Sequence, residues 1–171
     1  GSTWSQVGGD GLNSGWNSVY LAVSSLVAKD GVLYAGVGST GNNGEVWRLQ
    51  SGSWSRIGGA GLNGGWNNTY RYISALGIYK GDIVAGGTGS LAGSNDVWKW
   101  NGSSWTQIGG DSMNSSWNFS VIGNGLVSAL VSHGGKLYAS IGSLTVGDAS
   151  VWEYNGSSWT KAGGDLVNGS W

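Results

Sequence analysis

The sequence predicts an all-β fold of antiparallel four-stranded units, and three observations carry that expectation. One phrase recurs four times: Trp4-SQVGGDGLNSG-Trp16, Trp54-SRIGGAGLNGG-Trp66, Trp105-TQIGGDSMNSS-Trp117 and Trp159-TKAGGDLVNGS-Trp171. Its starts lie 50, 51 and 54 residues apart, the period of a stacked or circular repeat. Between the copies, short β-branched and aromatic runs alternate with glycine and asparagine turns, and no stretch sustains the 3.6-residue apolar period of a capped helix.

The third unit shows the plan. Leu126–Ser132 reads as a strand, His133-Gly134-Gly135 as a turn and Lys136–Gly142 as a second strand. A loop over Ser143–Ala149 leads to a third strand, Ser150–Tyr154. Asn155-Gly156 is a hairpin turn of the kind that needs positive φ, and Ser158–Gly163 is the fourth strand. Unit one gives Val23–Ala28, Val32–Gly38, Glu45–Gln50 and Ser53–Ile57. Unit two gives Tyr72–Ile78, Asp82–Gly87, Asp96–Trp100 and Ser104–Ile108. A four-stranded meander repeated in tandem every 50 residues or so is the blade of a β-propeller. The blades are expected at 23–57, 72–108 and 126–163, with a spare outer strand and loop at 1–22 and a partial loop at 164–171.

Composition narrows the function classes. The 171 residues suffice for one domain with a core. Only 10% are charged and the net charge is −1, so there is no clustered basic face for nucleic acid. No apolar run approaches the ~18 residues of a membrane span, so no membrane partner is expected. There is no cysteine, which excludes disulfides and thiolate metal sites. The Gly-Ser start without Met reads as an expression scar on an excerpted or engineered chain. No signal peptide is visible; a secreted or cell-surface origin is the expectation for a natural parent.

The runs VLYAGVG, EVWRL and SGSWSRIGG, with KLYASIG, SVWEY and SSWTKAGG, resemble kelch-type propeller blades. That family places glycines at the close of the second strand, an aromatic in the third and a Trp in the fourth. The double glycine is intact only at Gly86-Gly87, and Val84 departs from Tyr34 and Tyr138. A looser similarity, GGDGLNSGWN before GVLYA and GGDSMNSSWN before GKLYA, is to tachylectin-2-like lectin propellers. It implies the same fold and sugar binding.

Propellers have about four to eight blades, and three leave open edges that favour association. A two-fold pair giving six blades is the simplest closure, so the first expected partner is a second copy. The sequence allows three places for the spare strand. Trp4–Gly9 could complete the partner's last blade in place of Trp159–Gly164, the reverse could hold, or both could remain ordered.

The candidate ligand groups recur in the links between units: Trp16 with Asn13 and Asp10, Trp66 with Asn63, and Trp117 with Asn114 and Asp111. Asp165, Asn168 and Trp171 repeat the set, and Ala60 breaks the aspartate series. An indole face beside an amide and a carboxylate suits a sugar, through CH/π stacking and hydrogen bonds. Equally, the tryptophans wedge between blades while Asn and Asp cap turns. Trp47, Trp98 and Trp152, with Trp4, Trp54, Trp105 and Trp159, read as core or interface. Glu45 and Asp96 read as rim residues, and His133, the single histidine, as a surface turn residue. No catalytic constellation, cofactor motif or metal set emerges. The expected function is a non-catalytic scaffold or interaction propeller that self-assembles; the alternative is a glycan-binding lectin.

Overall fold

The computed structural model describes residues 3–67, 70–89, 94–118, 125–143, 146–165 and 167–170. Trp171, and parts of the polar loops at 58–71, 88–95, 109–125 and 142–149, lie outside the described residues.

The described residues fold as an all-β protein of twelve antiparallel strands that does not close on itself. They run β1 (Ala22–Lys29), β2 (Val32–Gly38), β3 (Glu45–Gln50), β4 (Ser53–Gly58), β5 (Tyr70–Tyr79), β6 (Asp82–Gly89), β7 (Val97–Trp100), β8 (Trp105–Gly109), β9 (Leu126–His133), β10 (Lys136–Gly142), β11 (Ser150–Tyr154) and β12 (Trp159–Gly163). Each set of four is a meander paired by neighbours in sequence. Among the described residues, one ladder pair links the sheet of each meander to the next: Gly38 with Tyr72, then Thr88 with Leu126.

Most strand limits match the expectation within a residue. Unit two differs: β5 starts two residues early, at Tyr70, and β6 runs two residues further than expected, to Gly89. His133 ends β9 instead of sitting in the turn. The turn is Gly134-Gly135, both at positive φ. Asn155 and Asn101 hold their hairpins with side-chain oxygens that accept backbone N–H groups two and three residues on.

Each inner strand carries a β-bulge one residue after Val23, Ile73 or Val127. The bulged residue is a serine every time. The extra residue turns its side chain toward the neighbouring meander. Ser24 donates to the carbonyl of Ile73 at 2.7 Å, and Ser74 to that of Val127 at 2.7 Å.

The core lies between meanders rather than within them. Tyr34, Val46 and Ile57 of the first cluster with Trp66, Ile73 and Trp105 of the second. Val84, Val97 and Ile108 of the second cluster with Trp117, Val127 and Trp159 of the third. Each meander thus has a front face toward its predecessor and a rear face toward its successor.

Candidate functional site

The repeated links are built by backbone geometry first. Gly59, Gly110 and Gly164 after the outer strands, and Gly9 after the N-terminal segment that matches one in sequence, take φ from +94° to +117°. Asp10, Ala60, Asp111 and Asp165 follow in the left-handed region. A short 3-10 turn comes next in three links, at Leu12–Ser14, Leu62–Gly64 and Met113–Ser115. The asparagine of each turn reaches back across it. Asn13 donates to the Val7 carbonyl at 3.1 Å, Asn63 to Ile57 at 3.0 Å, Asn114 to Ile108 at 3.0 Å and Asn168 to Ala162 at 2.9 Å. The amide N–H that would meet a ligand therefore holds the turn. Asp10 and Asp111 are exposed. Ala60 adopts the same turn without a carboxylate.

The tryptophans that end these links face protein. Trp66 and Trp117 are 3% exposed. Trp66 donates its indole N–H to the Gly44 carbonyl at 2.7 Å, and Trp117 to that of Asn95 at 2.8 Å, each acceptor lying one meander back. Both rings pack edge-on against the tryptophans of the following meander: Trp66 on Trp98 and Trp105, Trp117 on Trp152 and Trp159. Trp16 makes the matching contacts with Trp47 and Trp54 but is only half-buried, and its N–H meets no acceptor among the described residues.

A second tryptophan series binds the units. Trp54, Trp105 and Trp159 donate to the carbonyls of Val7, Ile57 and Ile108 at 2.7–2.8 Å; Ile57 and Ile108 lie on the preceding outer strand, and Val7 lies in the N-terminal segment that matches one in sequence. Trp4, expected in a core or interface, is instead fully exposed.

The carboxylates expected at a rim are buried. Glu45 accepts from the Tyr20 hydroxyl at 2.6 Å, the Trp47 indole at 3.0 Å and Arg56 at 2.7 Å. Burial, then the Glu45 carboxylate, push the Tyr20 hydroxyl well above its usual range. In unit two, Tyr70 donates to Asp96, but Gln107 stands where Arg56 stood. Burial without a cation raises the Asp96 carboxyl to about 7. In unit three Ser150 replaces the acid and accepts from Trp152 at 3.1 Å, leaving Lys161 to pair with Asp165 at 3.6 Å. The three clusters sit in different units and offer no paired acid and base. Among the described residues, no group of His, Cys, Asp and Glu gathers as metal ligands. The Tyr–acid pairs were legible only in hindsight: Tyr20 and Tyr70 each follow a link tryptophan by four residues.

Two clefts repeat beside the link tryptophans. One of about 250 Å³ is lined by Trp117, Asn118, Trp152 and Lys161, with Asp148 and Asp165 at its side. The equivalent one of about 380 Å³ is lined by Trp16, Asn17, Tyr20, Trp47 and Arg56.

The two end faces are less covered than the internal ones. On the front face of the first meander, Val23 is 44% and Leu26 59% exposed. Their counterparts Ile73 and Val127 are 1% and 0%, and Leu76 and Leu130 are 8% and 9%. On the rear face of the third, Tyr138, Val151 and Ala162 are half-buried. Their counterparts Tyr34, Val46 and Ile57, like Val84, Val97 and Ile108, are buried. No family model matches this chain, and no curated protein matches it.

Proposed function

We propose that this chain is a non-catalytic scaffold or interaction module that associates end to end with a second copy, its three meanders being kelch-like blades of a six-bladed ring. One observation carries the reading: the contact made twice inside the chain has an unpaired half at each end. The first blade presents Val23, Leu26 and an unbonded Trp16 N–H, and the third presents Tyr138, Val151 and the Ala149 carbonyl. Burying a leucine and a valine that stand half exposed is worth a few kcal/mol by area alone. Closing a ring also removes both open faces at once. A Leu26→Lys variant tests this. It places a charge on the uncovered face, so the folded chain persists with unchanged circular dichroism while association, followed by sedimentation velocity, is lost. Association that survives the lysine would mean that the front face is not the interface.

A glycan-binding module is the second reading. It is favoured by the two equivalent clefts, each with two indoles, an asparagine and a cation. Its binding groups are then Trp16, Asn17 and Arg56, and Trp117, Asn118 and Lys161, rather than the turn asparagines. Retention on immobilised sugars that falls in Arg56→Ala and Lys161→Ala proteins of unchanged stability is the result that would support it.

A further inference from the structure

The chain holds two copies of one segment at its ends, residues 4–16 and 159–171, and a ring of two chains has one place for each pair. In the described residues the C-terminal copy is built in. β12 pairs with β11 from Tyr154–Trp159 to Val151–Gly163, and Trp159 is 2% exposed with its ring stacked on Tyr154. The loop after it closes as the one after unit two does: the Gly164 N–H bonds the Ser170 hydroxyl at 2.7 Å, as Gly110 bonds Ser116 at 2.8 Å.

The N-terminal copy forms no strand. It lies along the front face of the first meander, where a preceding outer strand would lie. Val7 takes the Trp54 N–H, and a Cβ on Gly8 would sit 2.6 Å from the Trp54 ring nitrogen. Inside the chain, Ile57 with Gly58 and Ile108 with Gly109 meet Trp105 and Trp159 in this same way. Ala162 with Gly163 is the next pair in the series, and among the described residues no tryptophan donates to the Ala162 carbonyl.

Resting on the end-to-end reading above, we infer that residues 4–8 are a self-cap that imitates a second copy's β12 and is displaced when that copy docks. The incoming Ala162 carbonyl then accepts from Trp54, and the incoming Ala149 carbonyl accepts from Trp16, as Gly44 and Asn95 do from Trp66 and Trp117. Trp16 itself stays, because Tyr20 and β1 follow it directly and its ring is packed on Trp47 and Trp54.

The sign of one experiment decides it. A cap that competes with the partner lowers apparent affinity by the fraction of chains it leaves open. A chain lacking residues 1–8, and a full-length Gly8→Val chain whose side chain cannot seat on Trp54, are compared with the parent by sedimentation across a concentration series. Both are expected to associate more tightly, on the order of tenfold. Weaker association in both would make the N-terminal copy the docking strand, and unchanged association would leave it neither cap nor strand; either overturns the inference while the ring stands. If all three chains stay monomeric, the ring reading fails and the inference with it.

Discussion

The indole N–H of Trp66 meets the carbonyl oxygen of Gly44 at 2.7 Å, 22 residues back and one meander away. Trp117 repeats the contact with Asn95. The repeated sequence is therefore a connector: it leaves one meander, turns on an asparagine, and returns a tryptophan to the seam.

Removing that ring measures what the connector is for. Trp66→Ala and Trp117→Ala each empty a buried seam and strand a carbonyl, and are expected to lower unfolding free energy by about 3–5 kcal/mol. Trp16→Ala, at the uncovered end, is expected to lower it by less and to weaken association instead. Denaturant titrations of the three proteins, with sedimentation of the last, check the contrast. A Trp117→Ala chain of parental stability that only loses sugar retention would favour the lectin reading, since Trp117 lines one of the two clefts.

The acid beneath the seam makes stability depend on pH. Burial is the first cause of the raised Asp96 carboxyl, and the Asp111 charge adds to it, while the Tyr70 hydrogen bond works against both. A folded value near 7, above the ordinary 3.8, means that the folded chain holds this proton more tightly. This contribution is complete below about pH 4 and is lost as pH rises to about 7, by at most roughly 4 kcal/mol. Asp96→Asn keeps the shape without the charge, so its denaturation midpoint is expected to vary less from pH 4 to 8 and to exceed the parent's at pH 8. A parent midpoint that rises across that range would contradict the assignment.

Two glycines in the second strands set how closely meanders approach. A Cβ at Gly36 would lie 2.5 Å from the Ile73 carbonyl, and one at Gly86 would press on Val127. Gly86→Ala is therefore expected to destabilise the chain by about 1–3 kcal/mol in thermal or denaturant unfolding. The third meander has Ser140 at this position, so on the proposed end-to-end reading a second copy would dock there less closely than the internal units do. Ser140→Gly is expected to tighten association while lowering chain stability by up to about 1 kcal/mol, because glycine in a strand is entropically unfavourable. Weaker association would mean that the rear face of the third meander does not follow the internal pattern.

Much of the architecture was readable because the repeat aligns the units. Once KLYASIG and VLYAGVG are set side by side, the turn residues locate β2 and β10 to the residue. The clefts, and the inward aim of Asn13, Asn63 and Asn114, were not readable, since an Asn-Trp spacing of three fits both a turn cap and a sugar site. Glu45 and Asp96 looked like rim residues because a carboxylate at the start of a strand is usually solvated. Only the packed neighbours, Tyr20 and Tyr70, show what buries them. Trp4 matched Trp54 in sequence but lacks the preceding meander that buries its counterpart.

The central claim is that the two open faces belong to each other across copies, and the mass of the native chain in solution tests it most directly. Native mass spectrometry over a concentration series is expected to show a persistent species at twice the chain mass of 17.6 kDa. A species that stays at the single-chain mass at every concentration would contradict it, and Val23 and Leu26 would then be left as an exposed face without a partner copy.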